Sequence, residues 1–128
     1  ELFRVLGPVS NQDVSLPIAE IGLFAEELDE QLKATYPDIE VLLFGHIGDN
    51  NMHICAYTGR EEDKTKIRHD IMHLIGKFSG AITAEHGVGV LKRDYLSLSR
   101  SPAEIALMKT LKQAMDPKGL LNPGRVIS

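Results

Sequence analysis

Two stretches of the chain repeat apolar residues at the spacing of an α-helix. One covers residues 18–34 and the other about residues 61–78. Charged residues fill the opposite side of both, so each predicts an amphipathic helix with one buried face. The apolar stripes are Ile21, Phe24, Ala25, Leu28 and Leu32 in the first, and Ile67, Ile71, Leu74, Ile75 and Phe78 in the second.

Shorter apolar runs predict four strands. Residues 13–16 alternate in polarity up to Pro17, and residues 41–44 and 52–57 flank a cluster of Gly, Asp and Asn that predicts a β-hairpin. Residues 80–84 predict the last strand. The order strand, helix, strand, strand, helix, strand indicates an α+β fold with a ferredoxin-like split βαβ antiparallel sheet.

The C-terminal part, residues 101–128, predicts an added helix followed by a tail. Ser101 is the expected N-cap and Glu104 its capping-box partner. We expect an apolar stripe to be buried, formed by Ile105, Met108, Leu111 and Met115. Residues 1–12 carry no clear pattern and are interpreted as an irregular lead-in. The length of the chain is that of a single domain, so we interpret residues 1–128 as one domain.

The hairpin carries two histidines, His46 and His53, on either side of its turn. If the turn is centred on Asp49 and Asn50, the two histidines are directly opposed and point to the same face. Two imidazoles so placed can share one metal ion. The same face is predicted to carry Leu42, Phe44, Cys55 and Tyr57, and the other face Val41, Leu43, Met52, Ile54 and Ala56.

A second polar stretch supplies Glu85 and His86 on a glycine-rich turn. Two imidazoles and one carboxylate form a common three-ligand metal site with an open position. We therefore predict His46, His53 and Glu85 as ligands, with His86 as the acid/base group beside the metal; ordinary polar turn residues are the alternative. The predicted sheet leaves Glu85 about two strands, on the order of 10 Å, from His53, so the turn or sheet curvature must close that gap.

Another histidine pair lies on the second predicted helix. His69 and His73 have the i, i+4 spacing that can hold a metal. Both fall opposite the apolar stripe, and no carboxylate is aimed at them. We therefore interpret them as solvent-exposed.

Composition narrows the class of protein. The 128 residues are 43% hydrophobic and 25% charged, which is ordinary for a globular domain, and a net charge of −4 excludes an electrostatic case for nucleic-acid binding. The single cysteine, Cys55, excludes an internal disulfide and suits a reducing compartment. No run is long enough to span a membrane and no signal peptide is visible. Because the chain begins at Glu1 within an apolar stretch, we expect it to be a piece of a longer protein.

Four motifs, in order, resemble the C-terminal part of the FAD-linked oxidases that act on D-2-hydroxy acids. That family includes D-lactate dehydrogenases, the glycolate oxidase flavin subunit and D-2-hydroxyglutarate dehydrogenases. The motifs are D-V-S-L-P at residues 13–17, H-x-G-D-x-N-x-H at residues 46–53, E-H-G-x-G at residues 85–89 with Lys92 after it, and D-P-x-x-x-x-N-P-G at residues 116–124.

The resemblance implies that a D-2-hydroxy acid is oxidised to the 2-oxo acid, with hydride transfer to FAD and metal-assisted removal of the hydroxyl proton. It implies these roles: His46, His53 and Glu85 bind a divalent metal, typically zinc; His86 is the catalytic base; Lys92 binds substrate; Asn122 lies near the flavin. Most FAD contacts belong to a domain outside this chain, so the chain alone is expected to be inactive.

Three residues depart from the family pattern, and two of them bear on the substrate. Asn50 replaces a usual glycine, and asparagine tolerates the left-handed turn geometry. Asn11 and Cys55 stand where hydroxyglutarate-type members carry a lysine and an asparagine. Because both changes remove partners for a second carboxylate, they favour a lactate-like or glycolate-like substrate.

The expected partners are the small hydroxy acid and the FAD-binding domain of the same protein, with the electron acceptor left open. Exposed apolar surface where that domain docks could also support a homodimer. The expected location is cytoplasmic, including the periphery of the inner membrane, or mitochondrial in a eukaryote. A ferredoxin-like module that binds a metal or small acid without catalysis is the main alternative, and a metallohydrolase is a third.

Overall fold

The computed structural model describes residues 7–127, except for the side chain of Ile47. Three strands and three α-helices form the framework. They are β1 (Ser10–Ser15), α1 (Ile21–Thr35), β2 (Glu40–His46), β3 (Asn51–Tyr57), α2 (Asp63–Lys77) and α3 (Pro102–Met115). The predicted α+β class is confirmed. No helix in the described part is both long and apolar enough to cross a membrane.

The sheet is antiparallel throughout, with β3 in the middle and the order β1-β3-β2. β1 begins at Ser10, which pairs with Ala56, so the lead-in that we predicted through residue 12 is shorter. Residues 1–6 of that lead-in lie outside the described part. The three additional strand residues are explained by pairing with β3, which supplies backbone partners that the local sequence does not reveal.

One face of the sheet packs against α1 and α2. The predicted stripes of both helices supply this core: Phe24, Leu28 and Leu32 from α1, with Ile67, Ile71, Leu74 and Ile75 from α2, are all at most 2% exposed. Val14, Met52, Ile54 and Ala56 meet them from the sheet. His69 and His73 lie on the solvent side of α2, as predicted, with ring centroids 4.2 Å apart.

The predicted fourth strand is reduced to a single bridge. Ser15 and Ala81 exchange two backbone hydrogen bonds of 3.0 and 2.8 Å at the free edge of β1. Beyond Ala81 the backbone turns, and its N–H groups bond to the side chain of Asp13 instead of to the backbone of β1. The described sheet therefore has three strands, and the fourth strand of the predicted ferredoxin-like sheet is present only as this bridge.

Helix α3 begins as predicted, but its apolar stripe is not buried. Ser101 and Glu104 form the capping box, with Pro102 in the first turn. The described part buries no residue of α3: Leu111 is 52% exposed and Met115 is 81% exposed. The N-terminal half of the predicted stripe is half-buried, and only its C-terminal half is exposed. The spacing identified the helix correctly, but amphipathic spacing does not show how much of the apolar side is covered.

Candidate functional site

The hairpin register differs from the predicted one by two residues. His46 pairs with Asn51, and His53 pairs with Phe44, so the two histidines are diagonal neighbours rather than directly opposed. The cause is the position of the turn, which is centred on Gly48 and Asp49 rather than on Asp49 and Asn50. A short 3-10 segment in this turn is followed by Asn50 in the left-handed region at φ 62°. A shift of two residues keeps every side chain on its face, so the predicted face is correct.

This face of the sheet presents the two histidines side by side. The ring centroids of His46 and His53 are 6.1 Å apart, and the ring of His53 also stacks on Phe44 at 5.2 Å. On the other side of β3, His53 pairs with Asp13 of β1. A row of three side chains therefore crosses the sheet at this level, from Asp13 through His53 to Phe44.

Asp13 is the buried centre of the site, and we did not single it out from the sequence. It is 1% exposed. Its Oδ2 accepts hydrogen bonds from the backbone N–H groups of Ala84, Glu85 and His86 at 2.9, 2.7 and 2.9 Å, and from the hydroxyl of Thr83 at 3.1 Å. One carboxylate oxygen therefore holds the turn that carries Glu85 and His86.

The other carboxylate oxygen of Asp13 faces Lys92. The Lys92 ammonium donates to Asp13 Oδ1 and to the Asp13 backbone carbonyl, the latter at 2.9 Å. Burial alone would raise the pKa of Asp13, but the N–H of His86, the Lys92 ammonium and the N–H of Glu85 together hold that pKa well below its usual range. Burial lowers the pKa of Lys92, and the Asp13 carboxylate opposes that shift.

His86 is exposed and lies between Asp13 and His53. Its Nδ1 is 3.2 Å from Asp13 Oδ1, and its ring centroid is 5.9 Å from that of His53. A carboxylate against Nδ1 favours the tautomer with the proton on Nδ1. Nε2 then keeps its lone pair and can accept a proton from a bound molecule.

Glu85 reaches the hairpin, although the predicted sheet separated them by about two strands. Its Oε1 lies 3.3 Å from His46 Nδ1 and accepts a hydrogen bond from the Asn51 amide. The buried Asn51 Oδ1 has no hydrogen-bond partner within the described part of the chain. The turn anchored by Asp13 closes the gap and leaves one unpaired acceptor beside the Glu85–His46 pair.

These residues suit a divalent metal in type, although they do not form a finished site. Two ligands about 2.1 Å from one ion are about 3.0–3.4 Å apart at octahedral or tetrahedral angles, which the Glu85–His46 distance matches. Across residues 7–127, no three His, Cys, Asp or Glu side chains form a cluster ready to hold an ion. The third predicted ligand, His53, is on the same face, with its ring against Phe44 and His86.

The two remaining predicted residues lie at the margins of this face. Lys92 is 7% exposed behind Asp13, so its ammonium is directed at that carboxylate. Asn122 is exposed in the C-terminal tail, with φ at 46°. The Val126 N–H donates to the Gly89 carbonyl at 2.9 Å, which ties the tail to the glycine turn that follows His86.

Comparison with known proteins identifies the same family that the four motifs resemble. The family model described as FAD linked oxidases, C-terminal domain, matches residues 4–126. The D-2-hydroxyglutarate dehydrogenase of Stutzerimonas stutzeri is 40% identical over 91% of this chain and 26% of its own length. The mitochondrial D-2-hydroxyglutarate dehydrogenase of Arabidopsis thaliana is 36% identical over 99% of this chain and 22% of its own length.

A relative with a different named activity is also similar. The glycolate oxidase subunit GlcD of Bacillus subtilis is 34% identical over 91% of this chain and 26% of its own length. The chain thus spans about a quarter of the length of the curated relatives it matches. Because the family model matches nearly all of the sequence, the chain belongs to the family of FAD-linked oxidase C-terminal domains.

Proposed function

We propose that this chain is the substrate-binding and metal-binding part of a flavoprotein that oxidises a D-2-hydroxy acid to the 2-oxo acid. The observation that carries the proposal is the arrangement of His86. Its Nδ1 faces the buried carboxylate of Asp13, and its ring lies beside His53, in the patch where Glu85 meets His46. That arrangement sets a proton acceptor next to a group of metal-binding side chains.

His86 is proposed to take the hydroxyl proton of the substrate at Nε2. The proton would leave His86 positively charged, and Asp13 Oδ1, 3.2 Å from Nδ1, would stabilise that charge. Asp13 can do so because its low pKa keeps it ionised. Asp13 also fixes the backbone of His86 through the 2.9 Å hydrogen bond from its N–H, so the ring has a defined position.

His46, His53 and Glu85 are proposed to hold a divalent metal, with zinc as the preferred ion for two imidazoles and a carboxylate. When bound, such an ion lowers the pKa of a coordinated hydroxyl group. The unpaired Asn51 Oδ1 beside these side chains offers an acceptor to a bound water or ligand.

FAD supplies the hydride acceptor and is proposed to be held mainly by the part of the protein outside this chain. Asn122 is the proposed contact from this side, because it is exposed on the tail that is tied to the turn after His86. Lys92 is proposed to favour an anionic substrate through its positive charge. Its ammonium is already bound to Asp13, so this effect acts through space rather than by a direct hydrogen bond.

The substrate is proposed to be a small lactate-like or glycolate-like acid. Asn11 and Cys55 pair across β1 and β3, and Cys55 Sγ lies 3.5 Å from Asn11 Oδ1. Leu42 pairs with Cys55 from β2. The row beside His53 is therefore neutral, and none of its three side chains offers a cation to a second carboxylate.

The test is the rate of the full-length flavoprotein carrying His86→Gln, with D-lactate or glycolate as substrate and a dye as electron acceptor. Loss of a general base should lower kcat by about 10²–10⁴-fold, while the FAD content stays that of wild type. The matched control is His69→Gln on α2, which should keep wild-type activity. Undiminished turnover in His86→Gln would overturn the assignment of the base, and substrate binding without turnover in the wild type would favour the non-catalytic module.

A further inference from the structure

Strand β2 lies at the edge of the sheet and is exposed along nearly its whole length. Within the described residues it pairs with β3 alone, so the backbone groups on its other side have no partner strand. Its side chains are nonetheless apolar on both faces. Leu42 and Phe44, on the face of the site, are 40% and 53% exposed, and Leu43, on the helix face, is 37% exposed.

The strand lacks the features that protect exposed edges. Natural edge strands are usually short, charged, interrupted by proline or bent by a bulge. β2 runs seven residues in continuous register with β3, contains no lysine or proline, and has its only carboxylate at its first residue, Glu40. A long apolar edge of this kind invites pairing with another strand.

An apolar groove lies beside the same edge. A cavity of about 450 Å³ opens between α1 and β2, and its lining is mostly apolar. Ile21 and Ala25 line it from the helix, Leu43 lines it from β2, and Met52 lines it from β3. A strand added to β2 would direct alternate side chains into this groove and the intervening ones over Leu42 and Phe44.

We propose that the outer edge of β2 pairs with a strand supplied by the part of the flavoprotein outside this chain, with apolar side chains at alternate positions. The relatives are about four times as long as the region they share with this chain, so most of each protein lies outside the match. A second copy of this chain fits less well as the partner. Leu43 of that copy would already line the groove of its own chain, so it is less free to fill the groove of the first copy. The inference rests on family membership and not on the proposed reaction.

Pairing at this edge also has a consequence for the site. β2 ends at His46, whose Nδ1 contacts Glu85. A strand paired along β2 therefore runs directly to the edge of the histidine face. It would fix the remainder of the protein against the face on which we place substrate oxidation.

The test is backbone amide hydrogen exchange of the full-length flavoprotein, read residue by residue over β2. Alternate N–H groups of Glu40–His46 point away from β3 and should exchange as slowly as those of β3, at least about 10-fold more slowly than the exposed loop at residues 59–61. Exchange of these outward N–H groups at the loop's rate would overturn the proposal. Protection that falls on dilution would also overturn it, in favour of pairing between two copies.

A substitution provides the second measurement on the same protein. Leu43→Lys places a charge in the groove and should lower the melting temperature of the full-length protein and increase the rate of FAD loss. Leu107→Lys is the matched control, because Leu107 is 59% exposed on α3 and lies outside the groove. Equal effects of the two substitutions would count against a strand at β2, whether or not the enzyme oxidises hydroxy acids.

Discussion

A single carboxylate, that of Asp13, organises the segment that carries Glu85 and His86. It comes from β1, early in the chain, and bonds to groups about 70 to 80 residues later. The hints in the sequence are a charged residue within an alternating strand and the D-V-S-L-P motif that begins with it. The partners of Asp13 could not be inferred from the sequence, because Lys92 and the turn that carries Glu85 and His86 approach β1 only through tertiary packing.

Removing the charge of Asp13 should destabilise the fold strongly. Asp13→Asn leaves the buried Lys92 ammonium without its counter-ion and places an amide where one acceptor oxygen was. We expect a loss of about 3–5 kcal/mol in the free energy of unfolding, measured by urea denaturation of residues 1–128 at pH 7. The double variant Asp13→Asn with Lys92→Met should recover part of that loss, because it removes the unpaired cation.

The same pair predicts the direction of the pH dependence. Folding lowers the pKa of Asp13 from its ordinary value of 3.8, so its contribution is complete above that value and is lost as the pH falls below it. The stability difference between wild type and Asp13→Asn should therefore shrink in acid. A difference that is the same at pH 3 and pH 7, or a double variant no more stable than Asp13→Asn, would contradict the ion-pair explanation.

Among the elements, apolar periodicity was sufficient to locate the helices and the central hairpin. It was not sufficient to predict which helix faces are buried or how the strands pair. The stripes of α1 and α2 are buried as predicted, because both helices lie on the sheet. The stripe of α3 has the same spacing, but none of it is fully buried and its C-terminal half is exposed. The last predicted strand is only a bridge, because N–H groups that would pair with β1 in a strand donate to the Asp13 side chain instead. The hairpin register depended on the residues at which the turn is centred, which alternation does not fix.

The exposure of α3 leads to a direct stability prediction. Leu111→Gln and Met115→Gln should each change the free energy of unfolding of residues 1–128 by less than about 0.5 kcal/mol, since neither side chain is buried in this chain. Leu74→Ala on α2 is the comparison, and should cost about 2–5 kcal/mol because Leu74 is 2% exposed in the core. Urea denaturation measures all three. Costs for the α3 variants as large as that of Leu74→Ala would show that α3 is packed after all.

At the scale of the whole molecule, the candidate site is assembled from segments far apart in sequence. β1 provides Asp13, the hairpin provides His46 and His53, and the turn after the bridge provides Glu85 and His86. The motifs identified the residue types, and the antiparallel sheet brings them to one face. What the sequence could not show is the order of the contacts, in which Glu85 meets His46 while His86 lies between Asp13 and His53.

The proposal that His46, His53 and Glu85 hold one divalent ion can be tested on the complete flavoprotein. Elemental analysis of untagged protein should find about one divalent ion per chain, and His53→Ala or Glu85→Gln should remove it, because each variant leaves only two of the three proposed ligands. The matched control is His69→Ala with His73→Ala, which deletes the exposed histidine pair on α2, whose rings lie 4.2 Å apart, and should leave the ion in place. If the metal is lost in the α2 double variant but retained in His53→Ala, the ion is bound at the α2 surface. The hairpin histidines would then have a role that does not involve a metal.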